Sequence, residues 1–287
     1  MTRTCGQMIV HELLAETVPG YRANRLAAEA ATREHINSGR ALQLAGEPVT
    51  LPVVVHVVYR TDAENVSDEQ VASQIEALNR DFTAANEDKS GVPSVWTSLI
   101  GNANISFELA DTTRTKTTKE SFGADDTVKS PDTGGVAPID GKLNLWCCSL
   151  GDGLLGYAQF PGGPAETDGV VILNTAFGTT GTVVEPFHLG RTAVHEVGHW
   201  LGLRHIWGDM NDCTGDDFVA DTPKAKQANT GKPKFPHVTC NNGPNGDMFM
   251  NYMDYVDDDA MFMFTVGQIA RMNATLAGPR AEMVPGR

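Results

Sequence analysis

The chain has 287 residues and a formal net charge of −14, with 41% hydrophobic and 20% charged residues. This composition is typical of a globular protein with a sizeable core, and the length allows one large domain or two joined lobes. The acidic balance argues against nucleic acid as a partner, because nucleic-acid binding needs clustered Lys and Arg. It suits cationic substrates or calcium, although solubility alone would also explain it. No run of about 18 apolar residues occurs, so the sequence predicts no transmembrane helix and no membrane partner.

The first predicted element in chain order is a polar helical segment over residues 7–44. It has too few apolar residues for a core of its own, so we expect an arm or pro-segment that packs on a larger body. An apolar strand follows over 51–60, and then an amphipathic helix over 67–84 with Ser67 as its N-cap. Further predicted elements are strands over 104–110, 142–146 and 169–174, a surface loop over 112–135, a helix over 187–203, an irregular loop over 208–246 and a closing helix over 264–276.

The central motif is a pair of histidines on a predicted helix. His195 and His199 are four residues apart, so they project from one helix face and can reach one zinc ion. Glu196 lies beside the first ligand, where its carboxylate can take a proton from water. Gly202 allows a sharp turn that returns His205 to the metal, because glycine readily adopts a left-handed conformation. Three protein ligands leave a fourth position open, which is typical of a catalytic zinc site.

A chance match to the short His-Glu-x-x-His pattern is the alternative, and Gly202 and His205 at their offsets argue against it. The extended pattern resembles the metzincin clan of zinc proteases, and within it the pappalysin family with its compact ulilysin-like members. The resemblance covers residues 51–272. It rests on LGYAQFP (155–161), DGVVI (168–172), GRTAVHEVGHWLG (190–202), ADTP (220–223), NYMDY (251–255) and FTVGQ (264–268).

The resemblance implies an α+β metzincin fold with an α/β-type upper lobe. In such a fold a mixed twisted sheet and the active-site helix form an N-terminal subdomain. An irregular C-terminal subdomain carries a methionine turn and the closing helix. Met253 would form this turn beneath the metal, although core packing is the commoner role of methionine. Tyr255 would contact the metal or the reacting carbonyl.

The resemblance also implies how a substrate would bind. Asp258 would pair with Arg or Lys, so cleavage would occur before a basic residue. A solvated acidic loop or a set of calcium ligands are the alternatives for Asp258. Gly169, Val170 and Val171 would form an edge strand that binds substrate backbone, with an ordinary core strand as the alternative. The carboxylates of the loop that follows the zinc motif suit calcium, and Asp221 is the best single candidate.

The five cysteines fall into three groups. Cys213 and Cys240 lie in the irregular loop and fit a disulfide in an oxidising compartment. Members of the family that the chain resembles often carry two crossed disulfides there, whereas this loop has only Cys213 and Cys240, so we expect one bridge. Cys147 and Cys148 are predicted to be buried thiols. Cys5, in the segment RTCG, resembles the cysteine switch of pappalysin-like zymogens, in which a thiolate would fill the open zinc position; an unpaired tail cysteine is the alternative.

We therefore expect a pro-segment over residues 1–45 and a catalytic domain over 46–287, divided into subdomains over 46–202 and 203–287. The predicted protein is a secreted, monomeric zinc metalloendopeptidase that also binds calcium. We expect a signal peptide to be removed on export and the exported protein to be a latent zymogen. Its active form is expected to cleave proteins or peptides before Arg or Lys. Autolysis is expected before Arg40. A catalytically silent zinc-binding or adhesive module of the same fold is the alternative, and an intracellular hydrolase would leave Cys213 and Cys240 as free thiols.

Overall fold

The computed structural model describes residues 2–39 and 48–284, which form an α+β fold. The strands in these ranges are β1 (Val49–Tyr59), β2 (Ile105–Lys116), β3 (Leu143–Cys148), β4 (Gly156–Ala158), β5 (Val170–Leu173), β6 (Thr230–Gly231) and β7 (Tyr255–Val256). The α-helices are α1 (Gln7–Thr17), α2 (Tyr21–Asn37), α3 (Asp68–Phe82), α4 (Arg191–Trp200) and α5 (Val266–Ala277). The predicted α+β class is confirmed.

Five strands form one mixed sheet in the order β2–β1–β3–β5–β4. The first four strands of this order run parallel, and β4 pairs antiparallel with β5 at one edge. β1 lies inside the sheet and is buried along most of its length. An uninterrupted apolar sequence is typical of such a strand, because both of its faces are covered.

Side chains of β1 point alternately into two cores, as strand geometry requires. Val55 belongs to the same buried cluster as Leu78 of α3 and Val194 of α4. Val58 points to the opposite face and shares a second cluster with Val10 of α1. The N-terminal arm, which we define as residues 2–39, therefore contributes to the core on the second face of the sheet.

α4 is shorter than the predicted helix over 187–203. It begins at Arg191 because Gly190 has a φ of +76° and packs closely on α3, where an added Cβ would lie 2.7 Å from the Ala77 Cβ. It ends at Trp200, and the chain then turns at Gly202, whose φ is +89°. The predicted turn at this glycine is confirmed.

Other boundaries follow from capping and pairing. Ser67 caps α3 as predicted, since its Oγ accepts a hydrogen bond from the Gln70 amide at 3.2 Å. β2 is longer than predicted and includes residues 112–116, which the sequence had suggested to be a surface loop. β2 continues to Lys116 because it pairs with β1 along the whole length of β1. The pairing contains one register shift, between Val53 and Val54.

The segment between α4 and α5 has little regular structure. It contains the disulfide between Cys213 and Cys240, whose Cα atoms are 5.8 Å apart. Cys147 and Cys148 are free and buried, as predicted. Within the described ranges, no helix has the length and apolarity needed to cross a membrane. The expected domain boundary near residue 45 and the expected autolysis before Arg40 lie outside the described residues.

Candidate metal centre

Three histidines converge in the interior of the protein. The Nε2 atom of His199 lies 3.1 Å from that of His195 and 3.0 Å from that of His205. All three side chains are buried. α4 supplies the first two from one face, and the turn at Gly202 brings His205 back beside them. The structure therefore brings together the residues that the sequence predicts as metal ligands.

The outer nitrogen of each imidazole ring has an oxygen acceptor. The pairs are His195 with the Tyr252 carbonyl (2.7 Å), His199 with the Leu203 carbonyl (2.9 Å) and His205 with the Asp209 carboxylate. Because Nδ1 then carries the proton, each Nε2 presents a lone pair toward the same point. Facing lone pairs repel one another unless a cation lies between them. Three neutral imidazoles in this arrangement fit zinc.

Burial keeps the imidazoles of His195 and His199 neutral. It lowers the pKa of His195 well below its usual range, and with the neighbouring His205 it lowers the pKa of His199 to about 3. Zinc binds the neutral form of histidine, so no proton has to be displaced from these two rings at neutral pH.

Met253 lies directly beneath α4. It is buried, and a Cβ added to Gly198 would lie 2.6 Å from its sulfur. The turn is held by Asn251, whose side-chain oxygen accepts from the Met253 amide at 2.9 Å and whose side-chain amide donates to Gln268 at 2.8 Å. The glycine between the two helical histidines thus lets the methionine turn pack closely under the site.

Glu196 faces the histidine cluster from the side of β4. A Cβ added to Gly156 would lie 2.9 Å from the Glu196 Cγ and 2.8 Å from the Val171 carbonyl oxygen, so glycine makes room for the carboxylate. Burial raises the pKa of Glu196 to about 8. A carboxyl group with a pKa near neutrality can both accept and release a proton under physiological conditions.

Cys5 lies on the remaining side of the cluster. Its sulfur and one ligand nitrogen of each histidine all lie within 4.8 Å of one another. The Cys5 thiol donates to Glu196 Oε2 at 3.4 Å. Burial, with the neighbouring Glu196 carboxylate, raises the pKa of the thiol in the absence of a metal. Four ligand atoms at this separation match the number that a tetrahedral zinc ion binds.

The edge of the sheet beside the cluster is β4, and the N-terminal arm pairs with it. The Leu155 amide donates to the Thr4 carbonyl at 2.9 Å, and the Gly6 amide donates to the Gly156 carbonyl at 2.8 Å. Cys5 forms a parallel bridge with Gly156. The arm therefore occupies the exposed edge of the sheet directly above the histidines.

The prediction that Gly169, Val170 and Val171 form a substrate-binding edge strand is wrong. β5 lies between β3 and β4, and both valines are fully buried. Gly169 packs against β3, where an added Cβ would lie 2.4 Å from the Asn144 carbonyl oxygen. The true edge strand, β4, has only three residues, too few for a pattern of alternation to indicate it.

Arg3 of the arm extends into a closed pocket that ends at Asp258. Its Nη2 lies 2.5 Å from Asp258 Oδ1, and both side chains are buried. Its other nitrogens donate to Thr192 Oγ1 at 3.1 Å and to the Val256 carbonyl at 3.2 Å. Its guanidinium lies 5.0 Å from the centre of the Phe187 ring. The pocket thus recognises both the charge and the planar shape of an arginine side chain.

The position of Asp258 is fixed at the beginning of α4. Its second oxygen, Oδ2, accepts a hydrogen bond from the Leu189 amide at 2.8 Å, just before the helix. Its backbone carbonyl accepts from Arg191 Nη1 at 2.7 Å. A carboxylate held in this way directs its other oxygen, Oδ1, toward the guanidinium of Arg3.

Tyr255 lies against the histidine cluster. Its ring centre is 4.9 Å from that of His205 and 5.7 Å from that of His195. Burial raises the pKa of its hydroxyl, and Cys5 and Glu196 add to the effect. The hydroxyl therefore stays protonated and can donate a hydrogen bond.

Asp221 caps α5. One carboxylate oxygen accepts from Thr265 Oγ1 at 2.6 Å, and the other accepts from the Gly267 amide at 2.8 Å. The calcium prediction at Asp221 therefore finds no support. Among residues 2–39 and 48–284, Cys5 and the three histidines form the one group of at least three His, Cys, Asp or Glu side chains with ligand atoms this close.

Comparison with known proteins decides the family. Residues 144–277 match the Peptidase_M43 family, described as pregnancy-associated plasma protein-A. An extracellular metalloprotease of Pyricularia oryzae is 33% identical over 244 residues, which cover 81% of this chain and 77% of that relative. The chain belongs to the pappalysin family. It is a metalloprotease, and this family implies zinc as its metal.

Two solved pappalysin structures share the fold. Mature mirolysin of Tannerella forsythia, in complex with a cleaved peptide, is 47% identical with a TM-score of 0.82, and the match covers 84% of this chain and 97% of that one. A promirolysin mutant of the same organism is 43% identical with a TM-score of 0.89, and the match covers 98% and 97%. The predicted metzincin fold is confirmed.

Three contributors to this pappalysin site were not assigned a role from the sequence. The sequence indicates Arg3 only as part of the motif around Cys5, and Gly156 only as part of the segment over 155–161. Asp209 is one of the loop carboxylates that suit calcium, whereas in the structure its carboxylate accepts a hydrogen bond from His205 Nδ1. Its position four residues after His205 is the one local signal that could have indicated this contact.

Proposed function

We propose that this protein is a secreted zinc endopeptidase that its own N-terminal segment holds latent and that cleaves before Arg or Lys. The observation that carries the proposal is the joint position of Arg3 in the Asp258 pocket and Cys5 at the histidine cluster. Related proteins that bear the name extracellular metalloprotease support secretion. The peptide bound to mature mirolysin supports protein or peptide substrates.

The chemistry is divided between the metal and two side chains. Zinc, when held by the three histidines, supplies Lewis acidity toward the carbonyl and water of the hydrolysis. Glu196 takes a proton from the attacking water and passes it to the leaving amine. The Tyr255 hydroxyl donates a hydrogen bond to the oxyanion. The edge strand β4 offers its backbone to an extended substrate once the arm has left.

Latency follows from the arm's place in the cleft. The Cys5 sulfur would be a fourth zinc ligand, and residues 4–6 cover the edge strand that a substrate needs. The promirolysin match covers 98% of this chain and the mature mirolysin match 84%, a difference of 14%. That share of 287 residues is about 40 residues, close to the proposed pro-segment over 1–45. The catalytic domain would then span 46–287, with subdomains over 46–202 and 203–287.

Basic specificity follows from the Asp258 pocket. A buried carboxylate without a partner is costly, so removal of Arg3 leaves a site that favours another cation. The Phe187 ring and the Val256 carbonyl, which now contact Arg3, would contact an Arg or Lys side chain of the substrate.

The experiment compares two peptides that differ only in the residue after the scissile bond, Arg in one and Leu in the other. Loss of one member of a buried charge pair costs about 2–5 kcal/mol, which corresponds to roughly 30-fold to several thousand-fold. Asp258→Asn should therefore lower kcat/KM for the Arg peptide by such a factor and leave the Leu peptide nearly unchanged. Asp259→Asn, an exposed neighbour, is the matched control. Equal losses on both peptides would reject Asp258 as the specificity residue.

Calcium dependence and a monomeric state stay predictions. Calcium-selective chelation in the presence of excess zinc should lower the unfolding temperature if a structural calcium ion is bound. Light scattering of the purified chain should give a mass near 30.8 kDa for a monomer. An unchanged unfolding temperature, or a mass near twice that value, would reject the respective prediction.

A further inference from the structure

A cavity of about 340 Å³ lies between the N-terminal arm and residues 48–284, which we call the body. The arm contributes one side from α1 and α2. The body contributes the other side, with Phe160, Phe218, Arg204 and Asp209. Phe160 also packs edge-on against His199, with ring centres 5.7 Å apart, so the cavity adjoins the metal centre without being part of it.

The wall of this cavity carries more positive than negative charge, in a protein whose net charge is −14. Four arginines line it: Arg22, Arg25, Arg33 and Arg204. Only two carboxylates line it, Glu29 and Asp209, and both are engaged. Glu29 accepts from Arg33 at 3.0 Å and from Arg271 Nη1 at 3.1 Å, and Asp209 accepts from His205.

Arg25 and Arg204 remain without a carboxylate partner among the residues that the structure describes. Arg25 is only 9% exposed, and its Nη1 donates to the Pro161 carbonyl at 2.6 Å. The Nε of Arg25 and the Nε of Arg204 are both buried and have no hydrogen-bond partner there. Buried N–H donors of this kind are costly unless an acceptor reaches them.

Aromatic rings hold these two guanidinium groups in place. Arg25 lies 4.5 Å from the centre of the Phe160 ring, and Arg204 lies 4.4 Å from the centre of the Phe218 ring. Burial, with the positive charge of Arg204 adding to it, lowers the pKa of Arg25 to about 10. Fixed planar donors suit a carboxylate, which accepts two parallel hydrogen bonds, and the rings suit an apolar body attached to it.

We infer that this cavity binds a small organic carboxylate, whose oxygens accept hydrogen bonds from Arg25 of the arm and Arg204 of the body. The site exists only while the arm is in place, because Arg25 belongs to the arm. A ligand that binds one form of a protein stabilises that form. Such a carboxylate therefore also retards release of the arm. This last consequence rests on the proposed function, whereas the binding site does not.

The test uses benzoate as the probe and the full-length Glu196→Ala chain, so that the arm is not lost by autolysis. Isothermal titration at constant ionic strength, with chloride as the reference anion, should show saturable binding of benzoate. Arg204→Gln and Arg25→Gln should each weaken benzoate about tenfold or more, because each removes a charged donor. Arg60→Gln, an exposed arginine of the body, is the matched control and should leave the affinity unchanged.

Two results would overturn the inference: no saturable binding of benzoate by the full-length chain, or the same affinity in both Gln variants as in Arg60→Gln. Arg25 is buried, so that Arg25→Gln could fail to fold; Arg204 is only partly buried and then decides the matter. The catalytically competent chain gives a separate readout, in which benzoate should slow the loss of the arm on gels. Binding without slowing would support the site and contradict its proposed effect on release of the arm.

Discussion

Glu196 lies between the histidine cluster and β4, and its replacement tests its role as a proton carrier. Glu196→Gln keeps the shape of the side chain but removes the carboxylate that takes up and releases the proton. We expect zinc content to stay at one per chain while kcat falls by about 10²–10⁴ or more. Glu185→Gln, an exposed carboxylate, is the control. Zinc analysis and peptide turnover measure the two effects, and substantial turnover by Glu196→Gln would contradict a role in proton transfer.

The residues of the site differed in how far the sequence could predict them. His195, Glu196 and His199 lie on one helix, so their spacing alone indicates their geometry. Arg3 and Asp258 are 255 positions apart, and only the folded chain brings them within 2.5 Å. Local spacing carries no information about such a contact.

At the scale of elements, the short edge strand β4 has no room for a side chain at Gly156. Gly156→Ala would place a Cβ against backbone of β5 and against Glu196, at 2.8 and 2.9 Å. We expect the strand to shift, so that kcat/KM falls by at least about tenfold, the cost of roughly 1.4 kcal/mol in the transition state. Gly123→Ala is the control, since its Cβ would meet nothing closer than 3.7 Å. Equal kcat/KM in the two variants would contradict the claim that turnover depends on the position of β4.

The loop between α4 and α5 contains a buried carboxylate, Asp217, that makes the stability of the folded chain depend on pH. Burial raises the pKa of Asp217 from 3.8 to about 7, although Thr222 donates a hydrogen bond to it. Between these values the folded chain keeps a proton that the unfolded chain has released, so stability falls as the pH rises toward 7. At about 1.4 kcal/mol per pKa unit, the effect is a few kcal/mol.

Asp217→Asn should therefore become more stable relative to the original chain as the pH rises from 5 to 8. The difference in unfolding free energy between the two proteins, measured in urea at each pH, removes effects that they share. Asp216→Asn, an exposed neighbour, should show no such trend. A difference that is constant with pH would contradict the raised pKa of Asp217.

Elements were predicted well where a pattern is long and local. The strand β1 and the helix α3 follow from an apolar run and from a capped amphipathic repeat. The beginning of α4 could not be predicted, because Gly190 stops the helix through its close packing on Ala77 of a distant element. β4 has three residues and no pattern, and the resemblance led to β5 in its place.

For the whole molecule, the metal is expected to contribute to stability as well as to turnover. Three buried Nε2 lone pairs face one another without a proton between them, so the metal-free site is strained electrostatically. Zinc at about 100 times its dissociation constant would add roughly 2.7 kcal/mol to the unfolding free energy. A chelator should lower the unfolding temperature and abolish turnover, and added zinc should restore both. Unchanged unfolding and turnover would contradict a zinc site at these histidines.

The sequence predicts that the arm packs on the rest of the chain, but the path of the arm could not be predicted from it. The polar composition of residues 7–44 indicates a segment without its own core, and the structure shows that Val10 and Leu14 use the second face of the sheet instead. Where the arm runs depends on pairing between residues 4–6 and 155–156, which no periodicity reveals. The excess of arginines around the cavity at Arg25 could not be predicted either, because folding brings them together from the arm and from residue 204.

Turnover by the freshly purified, zinc-loaded, full-length chain tests the account most directly. The original protein and Cys5→Ala are mixed with the peptide that has Arg after the scissile bond, and product is recorded from the moment of mixing. We predict a lag for the original protein, which ends as the arm is cut, and a shorter lag for Cys5→Ala, whose arm is no longer held at the metal. The matched Leu peptide should be cut far more slowly by both. Equal lags in the two proteins, or equal rates on the two peptides, would contradict a latent protease with a basic-residue pocket.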